Sequence, residues 1–341
     1  MKIGIIGASG YSGGELLRLL TIHPSFSVEY IAAGSNAGAL ITDLHPQLSS
    51  YSKREFESTN IERMNQCDLL FFALPHGESA KLVQEVNPEV LIVDLGADFR
   101  LKSTASWEKY YGGAHAGSWV YGLPELPGQR EKISRAQRIA NPGCYATSIA
   151  LAAAPALANG LIEPGDLVVV AASGTTGAGR KASTNLLASE IMSSLSSYKF
   201  GGVHQHTPEV EEIMSQLSGA EVRLSFTPIL APMPRGILTT LTSKLVKSVD
   251  TVAVQKLYRE FYEDNDFIKV LGGGTLPRTS AVIGSNAAHI QVAIDSHTNR
   301  IIVSAAIDNL GKGAASQAIQ NANIMCGYAE ESGLTSTGLG A

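Results

Sequence analysis

The chain has 341 residues, 44% hydrophobic and 17% charged, with 26 Lys+Arg against 31 Asp+Glu and a formal net charge of −5. At roughly 100 to 200 residues per domain this length predicts two domains, and the apolar content with low net charge excludes a disordered chain. A mildly acidic chain without a basic block lacks the electrostatic footprint of nucleic-acid binding, and anionic membrane surfaces are disfavoured for the same reason.

Met1-Lys2 runs straight into the strand-like Ile3-Gly4-Ile5-Ile6, without the regions of a signal peptide, which predicts a cytoplasmic protein. Ile3 to Ile6, Val28 to Ala33, Leu69 to Leu74 and Val90 to Val93 read as strands buried on both faces. Gly13 to Leu20 reads as a helix with an apolar face at Leu16, Leu17 and Leu20, and the alternation is that of βαβ units. Gly96 to about Arg138 reads as a loop-rich stretch, a functional covering loop by its length. The apolar run Ile149 to Ala158 is about half of the ~20 residues that span a bilayer, and Pro155 interrupts it, so no membrane segment is expected. Beyond Cys144 the strands lengthen and alternate: Leu167 to Ala171, Glu221 to Phe226, Ile237 to Val246, His289 to Ile294 and Ile301 to Ile307. The fold class is therefore α/β, an N-terminal Rossmann-type dinucleotide-binding domain followed by an α+β domain on a mixed sheet. The tail Glu331 to Ala341 is small and polar enough to fray. Charged content below the ~25% usual for soluble domains predicts surface buried between subunits, in a homodimer or homotetramer.

Gly7-Ala8-Ser9-Gly10-Tyr11-Ser12-Gly13 follows the first strand and opens the first helix. Glycines there let the chain turn tightly and approach a pyrophosphate, whose charge sits at the helix N-terminus. Gly7, Ser9, Gly10, Tyr11, Ser12 and Gly13 are thus candidate cofactor contacts, against a plain glycine turn. An NAD site would place a carboxylate at the end of the second strand, where it repels a 2′-phosphate. Here that strand ends in Gly34-Ser35-Asn36 and its only acid, Glu29, lies near the opposite end. Ser35 and Asn36 can donate to phosphate oxygens, which predicts NADP as the cofactor.

Asn141-Pro142-Gly143-Cys144-Tyr145-Ala146-Thr147 precedes an Ala-rich run and puts Cys144 in the first turn of a helix, a position that favours the thiolate. The alternative is a buried thiol packing as a small hydrophobe. Cys67 and Cys326 fit that alternative, and three scattered cysteines make neither a disulfide framework nor a zinc knuckle. Val203-His204-Gln205-His206-Thr207-Pro208-Glu209 puts two imidazoles on one side of an extended segment before a helix. A metal site needs three or four ligands and none complete this one, so no metal is expected. An acid or base serving a nucleophile elsewhere fits better, with His206 preferred, oriented by Glu209, and His204 as a positioning neighbour. Ser173 to Arg180, with Gly177 at its centre, and Asn309-Leu310-Gly311-Lys312-Gly313 are glycine-rich turns that can meet anions. Gly177, Asn309 and Lys312 join the cofactor candidates. A short-chain dehydrogenase is excluded, because none of the eleven tyrosines has Lys four residues on.

Gly7 to Gly13, Asp94-Leu95-Gly96-Ala97-Asp98-Phe99-Arg100, Tyr121-Gly122-Leu123-Pro124-Glu125, Asn141 to Thr147, His204 to Glu209, Pro232-Met233-Pro234-Arg235-Gly236 and Asn309 to Gly313 occur in order. Together they resemble the N-acetyl-γ-glutamyl-phosphate reductases of arginine biosynthesis, from residue 1 to about 326. The resemblance implies NADPH-dependent reduction of an acyl phosphate to a semialdehyde through a thioester on Cys144, with His206 or His204 as acid/base. It makes Arg100, Arg180, Arg235 and Asn141 candidates for holding the substrate. It also implies a discontinuous dinucleotide domain, 1–143 plus about 310–341, around a catalytic and oligomerisation domain, 144–309. The alternatives are reductases of acetylaminoadipate phosphate or aspartyl phosphate, and, from another class, a non-enzymatic nucleotide-sensing regulator.

Overall fold

Short strands that are apolar on both faces need cover from both sides, and the first half of the chain is built from them. The computed structural model describes residues 1–340. β1 (Lys2–Ile6), α1 (Tyr11–Leu20), β2 (Ser27–Ala32), β3 (Leu69–Phe72), β4 (Leu91–Asp94), β5 (Val120–Tyr121) and β6 (Arg138–Ala140) follow in order. The strands lie in the order β2-β1-β3-β4-β6-β5 and every ladder is parallel. One face buries Ile3, Leu16, Leu17 and Phe71 against Ala318, Ile319 and Ala322 of the C-terminal helix Ser316–Met325. The other buries Ile6, Tyr30, Phe72 and Ile92. Because β1 is flanked by β2 and β3, the chain reverses direction across the sheet beside β1, and a doubly wound sheet binds its ligand at such a switch point. The expected covering loop carries structure instead: helices Thr104–Tyr110 and Gln129–Ser134 flank β5. The first is too short to show an apolar period, and its local signal is the Ser103 hydroxyl that accepts the Ser106 amide.

The second half forms α2 (Cys144–Ala158), β7 (Leu167–Ser173), β8 (Ser196–Ser197), α3 (His206–Ser218), β9 (Leu224–Leu230), β10 (Ile237–Lys244), α4 (Thr251–Phe261), β11 (Ile268–Val270), β12 (Ala288–Asp295) and β13 (Arg300–Ile307). Its sheet has the order β11-β12-β13-β10-β7-β9-β8. The β11–β12 and β7–β9 pairs are parallel and the rest antiparallel, the mixed sheet expected. α2 is apolar all round and buried from Tyr145 to Leu157, as such a helix must be. Pro155 sits inside it and cannot donate to the Leu151 carbonyl, which Tyr262 satisfies with its hydroxyl at 2.6 Å.

Two compact units result: Met1–Pro124, Gly128–Pro142 and Ala314–Leu334 in the first, and Glu125–Pro127, Gly143–Gly313 and the segment from Thr335 in the second. Against the expected division, 1–143 plus about 310–341 around 144–309, residues 125–127, 143, 310–313 and the segment from Thr335 fall in the second unit. Glu125 is held there by Lys312. Residue 341 lies outside the described residues, and the tail expected to fray is paired within this unit. Its Leu339 amide donates to the Ile283 carbonyl at 2.8 Å, and its Thr335 carbonyl accepts the Asn286 amide at 2.8 Å.

Candidate active site

In the first unit, β1 ends at Gly7, whose φ of +86° suits only glycine, and a Cβ there would fall 2.3 Å from the Ala73 carbonyl oxygen. A Cβ on Gly13 would fall 2.5 Å from the Ala8 Cα, so the turn and α1 can close only on glycine. Gly10 is the N-cap of α1, and Ser9, Gly10, Tyr11 and Ser12 stay partly accessible around that N-terminus. His45 supports the turn from beneath, its Nε2 3.0 Å from the Ala8 carbonyl oxygen. Asn36 Nδ2 donates to Ser9 Oγ at 3.1 Å, which brings the exposed Ser35 and the end of β2 to the same turn.

Asn141 and Arg100 are also in this unit, and both are committed to their own chain. Arg100 is 8% exposed and gives Nε to the Asn141 carbonyl at 2.8 Å and Nη2 to the Leu95 carbonyl at 2.7 Å. Asn141, fully buried, donates to the Ala314 carbonyl at 3.1 Å and accepts from Asn321 at 3.0 Å.

In the second unit Cys144 is the first residue of α2, half-buried, with Gly143 as N-cap. The Gly143 amide donates to Glu209 Oε1 at 2.8 Å, so Glu209 grips the thiol's own turn. His206 lies flat against Gly143, since a Cβ there would fall 2.4 Å from its Nε2. The His206 amide donates to His204 Nδ1 at 3.1 Å, which fixes the remaining His204 proton on Nε2. His204 is buried, and burial first, then the charges of His206 and Lys199, hold its imidazole down to about 2. It is a neutral, positioned ring. Tyr145 packs edge-on against both imidazoles and accepts the Tyr198 hydroxyl at 3.0 Å. Burial pushes Tyr198 up to about 12 and Tyr145 well above the usual phenol range. Neither tyrosine stands out in the sequence, where an aromatic residue carries no mark of its partner. Burial likewise pushes the Cys67 and Cys326 thiols up to about 11, which leaves them inert as expected.

The two glycine-rich turns of this unit meet. Asn309 accepts the Gly236 amide at 2.8 Å and donates to Thr176 Oγ1 at 3.0 Å, and a Cβ on Gly177 would lie 3.8 Å from Asn309 Nδ2. Arg235 forms a two-point pair with the fully buried Asp308, at 3.1 and 2.6 Å. Lys312 is fully buried and its ammonium is 2.5 Å from Glu125 Oε1. Arg180 is exposed at the end of its turn. Among the described residues no group of three or more His, Cys, Asp or Glu could hold a metal ion, and no helix is long and apolar enough to cross a membrane.

Comparison with known proteins agrees with this geometry. Residues 2–136 match the family model "Semialdehyde dehydrogenase, NAD binding domain", and residues 144–309 match "Semialdehyde dehydrogenase, dimerisation domain". The chain is 51% identical over 338 residues to an N-acetyl-gamma-glutamyl-phosphate reductase of Acidothermus cellulolyticus, covering 99% of this chain and 98% of that one. It is 48% identical to one of Streptomyces avermitilis, covering 99% of each. Among solved structures, an aspartate semialdehyde dehydrogenase II of Vibrio cholerae superposes with a TM-score of 0.70 at 19% identity, covering 95% of this chain and 98% of that one. One from Candida albicans, solved with NADP, gives 0.70 at 14% identity, covering 94% and 98%. These last two share the fold, whereas the identities near one half over the full length go further: the chain belongs to the family of N-acetyl-γ-glutamyl-phosphate reductases.

Proposed function

We propose that the chain reduces N-acetyl-γ-glutamyl phosphate to N-acetyl-glutamate semialdehyde and releases phosphate, with NADPH as reductant. The observation that carries this reading is a half-buried thiol at the first residue of a helix, with the His206 ring against the glycine before it, in a chain half identical to reductases of that name. The Cys144 sulfur attacks the acyl carbon, the carbon–oxygen bond to phosphate breaks, and a thioester remains on Cys144. His206 takes the thiol proton and returns it to a departing group, while neutral His204 fixes the backbone of His206. When bound, the dinucleotide supplies the hydride that takes the thioester to the aldehyde level. The glycines at 7 and 13 fit that group, because a Cβ at either would strike backbone and prevent the close turn. Ser9, Ser35 and Asn36 fit a 2′-phosphate, gathered at one turn by the Asn36–Ser9 hydrogen bond and able to donate to its oxygens. We assign the substrate's anionic groups to exposed Arg180, as a guanidinium can pair with either carboxylate or phosphate.

The second unit also supports a homodimer or homotetramer. Val168, Thr242 and Ile302 form one cross-strand row, and Val170, Thr240 and Ser304 the next. Val168, Val170 and Ile302 are 38 to 42% exposed, an apolar sheet face suited to a second copy of the chain. Three cysteines with no disulfide among them suit a reducing compartment, and we place the reaction in the cytoplasm.

The test runs backwards, from semialdehyde, phosphate and NADP, because acyl phosphates hydrolyse readily. Cys144→Ala should abolish turnover, and His206→Asn should lose on the order of 10²-fold in kcat, more than His204→Asn. Unchanged turnover in Cys144→Ala overturns the mechanism. Faster turnover with the aspartyl or aminoadipyl homologue of the substrate overturns the substrate.

A further inference from the structure

Lys312 and Glu125 are among the most enclosed charged groups of the second unit, with side-chain exposures of 0% and 1% and 2.5 Å between Nζ and Oε1. Burying such a pair is costly in desolvation and is seldom retained for stability alone. The backbone on either side of Lys312 has no slack. A Cβ on Gly311 would fall 2.3 Å from the Ser285 carbonyl oxygen. A Cβ on Gly313 would fall 2.8 Å from the Cys144 Cβ and 3.2 Å from its Cα. Gly311–Ala315 is a π-helical turn, and the Gly313 amide closes it on the Asp308 carbonyl at 2.9 Å. Asp308 is itself fixed by Arg235 and by the Gly284 amide at 2.7 Å. The Lys312 ammonium lies over the ring of Phe267, its Nζ 5.7 Å from the centroid. A wide turn of this kind is usually retained where a site needs it.

We propose that Lys312, through its buried pair with Glu125, is a positioning residue for the Cys144 thiol. The pair fixes the height of the turn, Gly313 passes that position to Cys144 by direct contact, and the sulfur is set against the His206 ring. On this reading both charged groups act through the turn and not on substrate or dinucleotide. The inference rests on Cys144 being the nucleophile, and alkylation of the thiol reads it without reference to turnover.

The experiment compares Glu125→Gln and the double variant Lys312→Met/Glu125→Leu, which removes both charges and leaves neither buried alone, with the parent protein. Three quantities are read: the rate of Cys144 alkylation by iodoacetamide across pH 6 to 9, kcat in the reverse assay, and the Kd of NADPH by fluorescence. In the double variant we expect alkylation about tenfold slower or with a displaced pH profile. A displacement of the sulfur by about 1 Å should lower kcat on the order of 10²-fold, with the NADPH Kd within about twofold of the parent. Glu125→Gln keeps the shape and an acceptor oxygen, and it should fall between the two; if the double variant does not fold, it alone decides. Parental alkylation and kcat in a folded variant overturn the proposal. So does a large rise in the NADPH Kd with an unchanged thiol, which would make Lys312 a cofactor anchor. Turnover surviving in Cys144→Ala would instead overturn the catalytic reading on which the proposal rests.

Discussion

Glu209 and Gly143 are 66 residues apart in sequence, and the carboxylate of one holds the amide of the other at 2.8 Å, one residue before the thiol. A buried amide left without its charged acceptor costs about 1.5–3 kcal/mol. Glu209→Ala should lower the unfolding free energy by that amount in a urea titration, and kcat should fall with it. Glu209→Gln, which keeps an acceptor oxygen, should recover most of the stability.

Asp94 ends β4 fully buried, with Oδ1 accepting the Ser79 hydroxyl at 2.9 Å and the Gly96 amide at 2.8 Å. Burial pushes its carboxyl up to about 7, against the lowering effect of those two hydrogen bonds. Its folded value therefore exceeds the unfolded one of 3.8, so its contribution to stability is whole below that value and is lost as pH rises from about 4 through 7. The loss has a slope of up to about 1.4 kcal/mol per pH unit. Asp94→Asn should remove it: the variant's advantage in urea midpoint should grow between pH 4 and 7 and then level off. A constant difference across that range would show that Asp94 is ionised in the folded protein.

The three thiols differ in surroundings, and brief iodoacetamide treatment at pH 7.5 should label Cys144 alone. Cys67 and Cys326, pushed up to about 11 by burial, should stay unlabelled in the native protein. Peptide mass spectrometry gives the count, and labelling of Cys67 at a rate near that of Cys144 would contradict the burial argument.

NADPH should exceed NADH by at least about tenfold in kcat/KM, equivalent to roughly 1.4 kcal/mol. Asn36→Asp places a carboxylate beside Ser9 and should narrow or reverse that ratio, acting through the KM for cofactor. An unaltered ratio would move the 2′-phosphate site away from Asn36.

Ile302→Lys, in the row with Thr242 and Val168, should convert the assembly to monomer in sedimentation equilibrium without unfolding it, because the position faces outward. A variant that remains oligomeric would place the interface on another surface.

β1 to β4, β7, β9, β10, β12 and β13 are legible in the sequence because their apolar runs keep a period of one or two residues over four to eight positions, whereas β5, β6, β8 and β11, two or three residues each, are too short to show any period. Cys144 and the His204–His206 pair are legible as local chemistry. Hidden from the sequence are the partners of charged groups. Arg235 meets Asp308 across 73 residues and Lys312 meets Glu125 across 187, and no local pattern marks which anion a guanidinium or an ammonium will take. The same holds for Arg100 and Asn141, which serve backbone carbonyls that exist as acceptors only once the chain has folded.

The wide turn at Gly311–Ala315 also acts as an inserted residue in the phase of the C-terminal helix that begins at Ser316. The helix carries buried polar side chains inside the first unit. Asn321 donates to the Gly122 carbonyl at 2.8 Å, Asn323 meets His23 Nε2 at 2.9 Å, and Gln320 donates to Glu330 at 2.6 Å. At about 100° per residue Gln320, Asn321 and Asn323 leave the helix in three different directions, so the first unit closes only around a helix whose rotation satisfies all three amides at once.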